Sequence, residues 1–414
     1  MIATERRLRN VVIVLDNANV DGGSAKVALS SATALADLGY RVDVCSAVAA
    51  SEKTRTSMPT SIHFWSTDQL EVLKDPSVAR AAARGIWNAD SYRLIRDVLR
   101  PFDARTTVVH VHGWTKALSS SAIRAVLDGG FTLAIGLHEY FTICPIGSLF
   151  DHRRGEICRR TPMSLDCMTA NCDSRSYAHK AYRVVRQVVT NMAGGVPAKV
   201  KNFIAVSEFS RKILEPQLPP ESRIFDIANP VDVPLAERVD VSSNDHYVFV
   251  GRLSHEKGPI LFAEAVRRLG ARAIFAGDGE LNKEVRAILP EAEITGWLDR
   301  AGLADVFRRA RAIVVPSLWY ETFGLVVLEA AGAGIPAVVP DECAARNLIV
   351  ENETGLEFRT GEIDSLEAAM RKCEDPATIA RLGHEAYRRY WEHPFTLETH
   401  TRQLVEAYEA MLET

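Results

Sequence analysis

The stretch PSLWYETFGLVVLEAAGAGIPAVVP, residues 316–340, decides how the rest of the chain is read. The apolar run Ala312 to Val315 reads as a strand that halts at Pro316. The aromatic pair Trp319 and Tyr320 precedes Glu321. Phe323 and Gly324 then turn the chain into a helix expected over residues 325–333. Gly334 closes that helix, and a new strand follows Pro336. Strand, loop, helix, strand is the repeating unit of a parallel sheet. The loop carries an acid at the mouth of the helix, and a second acid, Glu329, lies about two helical turns further in.

The same alternation runs outward in both directions. Val11 to Leu15, Arg41 to Cys45, Val108 to Val111, Thr132 to Gly136 and Phe203 to Val206 read as buried strands, with helices such as Ala25 to Leu38 and Ala117 to Leu127 between them. The pattern restarts with Tyr247 to Val250, Arg272 to Phe275 and Ala337 to Val339. Continuous apolar strands alternating with helices predict parallel sheets covered on both faces. A Pro-, Ser- and Asp-rich stretch between the halves, with Pro216 to Ser243 at its centre, reads as the domain link. The expected organisation is a first Rossmann-like domain over 1–232, containing a cysteine-bearing insertion over 144–201. A second domain follows over 243–393. A terminal helix over 394–414 crosses back to the first. Ligands in doubly wound folds sit at the carboxyl ends of the strands, so the loops there are the places to search.

Bulk properties narrow the classes. The chain has 414 residues, 47% apolar and 25% charged, with a net charge of −4. That length exceeds one ordinary core, and that charge gives no global reason to bind nucleic acid. No apolar run approaches the roughly 20 residues of a membrane span. The first apolar run is five residues long and leads to Asp16, so it reads as a strand and not as a signal peptide. Seven cysteines in a chain of this length suggest no disulfide framework, and the expected compartment is the reducing cytoplasm.

Three loops carry candidate chemistry. After the first strand, Gly22 and Gly23 allow close backbone approach to a ligand and Ser24 suits a helix start, where free N–H groups attract anions. A plain tight turn fits the glycines equally well, and no third glycine completes a dinucleotide fingerprint. In VFVGRLSHEKGP, Arg252 and Lys257 flank the turn at Gly251, and two cations at a strand's carboxyl end suit a diphosphate. In the opening stretch, Glu321 and Glu329 beside a helix start that favours anions suit hydroxyl donors, as on a sugar and a ribose. The plainer alternatives are solvated surface cations and a helix-start acid.

Taken together, the Gly22–Gly23 pair, HVHGW, LHEYFTICP, AVSEFSR, NPVD, GRLSHEKG, AGDGEL and ETFGLVVLEAAGAGIPAVV resemble, in order and spacing, the retaining glycosyltransferases of the GT-B fold, specifically glycosyltransferase family 4. ETFGLVVLE is similar to the E-x7-E motif of that family. The resemblance covers almost the whole chain and implies a GT-B fold, two Rossmann-like domains facing across a cleft. It implies that Glu321 binds the transferred sugar and Glu329 the ribose. The backbone at Phe323, Gly324 and Leu325 would hold sugar and phosphates. Arg252 and Lys257 would hold the diphosphate, with Gly23 approaching it from the other domain. His138 matches the family's histidine near the reacting sugar, and it is followed by Glu139 where an aspartate is more usual. Trp297, in ITGWLD, resembles the loop beside the nucleobase.

The implied activity is retaining transfer of a sugar from a nucleotide diphosphate sugar to an acceptor hydroxyl, in polysaccharide, glycolipid or other glycoconjugate synthesis. The implied mechanism is front-face, with His138, Glu321, Arg252 and Lys257 as the catalytic set. No cofactor is required, and the acceptor is a sugar, a lipid-linked or a small molecule. A nucleotide-sugar epimerase or phosphorylase of the same fold, or a silent nucleotide-sugar-binding regulator, are the alternatives. His112 follows a strand end and reads as structural.

Cys144, Cys158, Cys167 and Cys172 fall close together, with the ligand number and softness of a structural zinc site but without a tight Cys-x2-Cys pair. Buried free thiols are the alternative. Arg175, Lys180, Arg183 and Arg186 follow at near-helical spacing. That pattern fits a helix near anionic lipid heads, hence a peripheral membrane contact, and equally a solvated helix face.

Overall fold

The computed structural model describes residues 7–20, 22–233 and 237–413. The chain builds two parallel sheets in succession. The first holds β1 (Asn10–Asn17), β2 (Arg41–Val48), β3 (His63–Ser66), β4 (Thr107–Val111), β5 (Thr132–Leu137), β8 (Asn202–Ala205) and β9 (Arg223–Asp226), in the order β3-β2-β1-β4-β5-β8-β9. The intervening β6 (Phe150–Asp151) and β7 (Glu156–Ile157) form a separate antiparallel hairpin. The second sheet holds β10 (His246–Val250), β11 (Arg272–Ala276), β12 (Glu293–Ile294), β13 (Ala310–Val314), β14 (Ala337–Pro340) and β15 (Gly355–Phe358), in the order β12-β11-β10-β13-β14-β15.

Both sheets have the doubly wound order, in which the first strand lies between the second and the fourth. The register sets Val11 beside Val42 and Val108, and Val248 beside Ile274 and Ile313. These apolar runs are buried on both faces, which is why they pair in parallel under helices. The order reverses beside β1 and beside β10, so each half opens a crevice at the carboxyl ends of those strands.

Three features differ from the sequence expectation. The stretch read as a link contains β9, which extends the first sheet, so the passage between the sheets runs only from Ile227 to Asp245; residues 234–236 of it lie outside the described residues. The helix expected from Ala117 begins instead at Ser121. The Asp16 carboxylate accepts the backbone N–H groups of Lys116, Ala117 and Leu118 at 3.0, 2.7 and 2.9 Å and holds that segment as a turn. Third, the Tyr177–Val189 helix does not present its cations outward. Lys180 is fully buried, and Arg186 donates to the carbonyls of Thr115 and Pro145 at 3.2 and 3.1 Å. The large apolar side chains of Tyr177, Val185 and Val188 are exposed on that helix instead.

The last helix, Leu397–Leu412, packs on the Gly23–Asp37 helix of the first half. Its Leu404, Tyr408 and Met411 are buried in one core with Ile13, Leu15 and Ala28. Burying a side chain of this size contributes about 1.5–3 kcal/mol, which fastens the end of the chain to the first half. Among the described residues no helix is long and apolar enough to cross a membrane.

Candidate active site

The loops after β10 and β13 pack against each other at the carboxyl edge of the second sheet. Gly258, at φ +69°, lets them touch, since a Cβ there would collide with the Pro316 carbonyl. This contact brings Lys257 onto Glu321 as an ion pair. Ser317 Oγ donates to the other Glu321 oxygen at 2.8 Å, and Lys257 Nζ lies 5.3 Å from the centre of the Trp319 ring. Arg252 leaves the same strand end but is exposed, and its guanidinium has no partner among the described residues.

Gly324, at φ +143°, is the hinge into the Leu325–Gly332 helix. Phe323 is buried before it, and Leu325 is half-buried at the helix start. Glu329 is half-buried on the same helix without a hydrogen-bond partner among the described residues. Burial pushes its carboxyl above the usual range, against the pull of Lys26 and Arg300. Trp297 stands on the rim, 68% exposed.

The first half faces this wall. A Cβ on Gly23 would lie 3.8 Å from the Leu325 side chain, so the glycine pair approaches the helix start directly, while Gly22 borders open space. Lys26, one turn on, is the cation that acts on Glu329. Thr322 Oγ1 donates to the His138 carbonyl at 3.0 Å, and Ser207 Oγ donates to the Thr322 carbonyl at 2.7 Å. These bonds tie the two halves at the reacting end of the cleft. Beside them a polar pocket in the first half is lined by Asp16, Asn17, Ser24, Thr115, Lys116 and Glu139. Crowding by its walls raises the Glu139 carboxyl although water reaches its surface.

His138 is set by a column of rings. His112 Nδ1 lies 3.0 Å from His138 Nε2, the His110 and His112 ring centres lie 3.9 Å apart with the planes tilted by 36°, and His110 Nδ1 lies 2.7 Å from the Tyr408 hydroxyl of the last helix. Gly136 makes the space, because a Cβ there would meet His138 Nε2 at 2.8 Å and His110 Nε2 at 3.1 Å. Burial, with His400 nearby, lowers the His138 pKa to about 4, and burial holds His110 and His112 well below the ordinary range. All three rings are therefore neutral near pH 7. A neutral His138 serves as a hydrogen-bonding group, not as a fixed cation.

The structure thus brings Gly23, His138, Lys257, Glu321, Leu325 and Glu329 together where the two halves meet, while Gly22, Arg252 and Trp297 are exposed and Phe323 and Gly324 are buried at the turn. Sequence reasoning missed Thr322, Lys26 and Ser317, and it read His112 as structural only. Thr322 lay inside the quoted motif, but nothing in its spacing signals a bond to the opposite half. The zinc expectation fails on the geometry. Among the described residues no group of three or more His, Cys, Asp or Glu side chains is arranged to hold a metal. Cys144, Cys167 and Cys172 are buried and free, and Lys180 lies among them, where a dication would be repelled.

With this geometry established, comparison with known proteins is decisive. A family model described as Glycosyltransferase Family 4 matches residues 21–234, more than half of the chain, and one described as Glycosyl transferases group 1 matches residues 240–389. The chain belongs to these glycosyltransferases.

The glycosyltransferase is 33% identical over 178 residues to a glycogen synthase of Mycobacterium tuberculosis, an alignment covering 39% of this chain and 43% of that protein. It is 34% identical over 142 residues to a GDP-mannose-dependent alpha-mannosyltransferase of Mycolicibacterium smegmatis, covering 34% and 35%. The match therefore spans less than half the length of either relative. In structure it is similar to sucrose-phosphate synthase from Thermosynechococcus elongatus, with a TM-score of 0.70, 14% identity and coverage of 98% and 99%. It is also similar to HepE of Anabaena in complex with UDP, with a TM-score of 0.66, 17% identity and coverage of 97% and 100%. These likenesses identify the fold as GT-B.

Proposed function

We propose that this glycosyltransferase moves a sugar from a nucleotide diphosphate sugar to an acceptor hydroxyl with retention of anomeric configuration. One observation carries the reading: the Lys257–Glu321 pair lies beside the helix start that Gly23 approaches from the first half, and Thr322, next to Glu321, donates to the His138 carbonyl. Arg252 and Lys257 stabilise the departing diphosphate, together with the helix start at Leu325. Glu321 turns to the sugar hydroxyls, and Glu329 takes the ribose hydroxyls that its half-buried, unpartnered carboxyl lacks in the free protein. His138 hydrogen-bonds the reacting sugar from the first half, and Trp297 borders the base. The acceptor enters over the pocket of Asn17, Lys116 and Glu139, whose polar lining suits a hydroxylated molecule. No side chain here is placed as a covalent nucleophile in this reading, so the leaving diphosphate itself assists deprotonation of the acceptor.

The structural neighbours bound to UDP support a nucleotide donor. The curated relatives transfer different sugars, so the donor is best found by screening. Thermal melting with UDP-, GDP-, ADP- and TDP-sugars should single out one that raises stability by mass action, about 2.7 kcal/mol at a hundredfold excess over Kd. Transfer from that donor should keep the anomeric configuration by nuclear magnetic resonance. Absence of any stabilising nucleotide sugar, or an inverted product, would overturn the proposal.

A further inference from the structure

The segment that leads into the Tyr177–Val189 helix gathers its thiols around one amine. Lys180 has no exposed surface, and Cys144, Cys167 and Cys172 are buried around it. Its Nζ donates to Cys167 Sγ at 3.8 Å, and Cys172 lies close enough to act on its charge. Cys158, half-buried, holds Arg160 Nη1 at 3.6 Å from its sulfur and marks where the cluster meets solvent. The carboxylates nearby are already engaged: Asp151 pairs with Arg160 at 2.9 Å and Asp173 with Arg183 at 3.1 Å. Lys180 has no carboxylate partner among the described residues. Burial pulls its pKa down, and the neighbouring Cys172 and Cys167 push the other way and leave it above the ordinary lysine range. Sulfur is therefore the counter-group of a buried ammonium, an arrangement that serves neither the cleft nor a metal.

We propose that Cys167 and Lys180 form a covalent oxidation site, in which a peroxide oxidises the Cys167 sulfur and the Lys180 amine then closes a sulfenamide bond to it. The thiolate is the nucleophile. It attacks one oxygen of hydrogen peroxide, the O–O bond breaks, and the Lys180 ammonium gives its proton to the departing hydroxide. The products are a Cys167 sulfenic acid, one water and a neutral Lys180 amine. Sulfur has lost two electrons and peroxide has gained them. The amine then displaces the sulfenic hydroxyl. An N–S bond forms, the S–O bond breaks, and a proton from the amine leaves with the hydroxyl as a second water. Sulfenic acids are known to condense in this way with nitrogen as well as with thiols. The ammonium that activates the thiolate becomes the free amine that captures its product.

The bond would fasten the short Leu165–Thr169 helix to the Tyr177–Val189 helix. That helix holds the carbonyls of Ile146 and Pro145 through Arg183 and Arg186. From the same insertion, Arg159 reaches the second half, pairing with Glu342 at 2.7 Å and donating to the Tyr320 hydroxyl at 3.2 Å. The Cys167–Lys180 bond would therefore stiffen a strap that already crosses between the halves.

The test reads mass and not transfer activity, so it stands apart from the proposed reaction. Full-length protein is treated with hydrogen peroxide, quenched, digested without reductant and mapped by mass spectrometry. The expected product joins the peptides of Cys167 and Lys180 with the loss of two hydrogens, and dithiothreitol restores both. Lys180→Arg, which keeps the charge, and Cys167→Ser should each abolish it. If either variant fails to fold, the wild-type map alone decides. A Cys167–Cys172 disulfide, a Cys167 sulfinic acid without a cross-link, or an unmodified Cys167 under conditions that oxidise Cys158 would each overturn the proposal.

Discussion

Arg252 and Lys257 leave one strand end but occupy different surroundings, and the difference separates catalysis from stability. The Lys257 and Glu321 side chains are only 25% and 19% exposed, and each satisfies the other. Removing Lys257 leaves Glu321 with Ser317 alone, so Lys257→Ala should cost about 1–3 kcal/mol of stability as well as activity. Arg252 has no protein partner to strand. Arg252→Ala should leave the melting temperature within a degree or two of wild type while lowering kcat/KM ten- to a hundred-fold, the equivalent of about 1.5–3 kcal/mol of charged hydrogen bonding to the diphosphate. Thermal melting and steady-state kinetics on both variants decide it, and equal destabilisation of the two, or wild-type kcat/KM in Arg252→Ala, would sink the assignment. Both cations were legible in the sequence as charges at a strand's carboxyl end. The pairing of Lys257 with Glu321 was not, because a contact between loops of two different strands leaves no trace in local spacing.

At the scale of elements, β4 and β5 build the histidine column. In HVH, His110 lies on β4 and His112 just past its end, two residues on, so both rings lie on one side. Gly136 on the neighbouring strand then makes room for His138 against them. His110, His112, His138 and His400 are all held below their unfolded values by burial. Below pH 6.5 the unfolded chain binds protons there that the folded chain refuses, so stability falls as pH falls. The slope is about 1.4 kcal/mol per pH unit for each histidine until the folded group itself titrates, near pH 4 for His138. Asp16, Glu139 and Glu329 have raised values and act in the opposite sense, since the folded chain takes up their protons as pH falls from the folded values toward the unfolded carboxylate range of about 4. The melting temperature of wild type relative to a His112→Gln variant should therefore drop between pH 7.5 and pH 5.5, and a difference that stays constant over that window would refute the neutral column. The long strands were readable because buried parallel strands are continuous apolar runs. β3, β9, β12 and β15 escaped notice because they are short and carry polar residues. The false start at Ala117 has a tertiary cause: the Asp16 carboxylate pins the N–H groups of residues 116–118 as a turn and Ser119 sits at φ +63°, so helical backbone begins only at Ser121. The inward cations of the Tyr177–Val189 helix were equally hidden, because spacing gives a face but not the direction in which it looks.

The whole molecule joins its halves twice, through residues 227–245 and again through Pro394 to Thr396, where the chain returns to the first half. The Val231 N–H donates to the Phe395 carbonyl at 2.7 Å, so the two crossings lie side by side and form one hinge. On the cleft side Gly23 approaches Leu325, and Lys26 acts on Glu329 across the gap. The halves are thus close together while Glu329 is half-buried without a hydrogen-bond partner among the described residues. Holding a carboxyl in that state is unfavourable, because burial without compensating hydrogen bonds costs free energy. Opening the hinge rehydrates Glu329, whereas a donor replaces the missing partners with ribose hydroxyls and brings a diphosphate to Arg252. The free protein should therefore populate more open arrangements, and the donor should select the compact one. Closure also excludes water from the activated sugar and strengthens the cationic clamp. Small-angle scattering should give a smaller radius of gyration at saturating nucleotide sugar than without it, with the bound profile fitted by the arrangement described above. Glu329→Gln removes the charge that opening rehydrates, so it should shift the free protein toward the bound value. An unchanged radius in a protein that demonstrably binds the donor would exclude donor-driven closure and leave a preformed cleft.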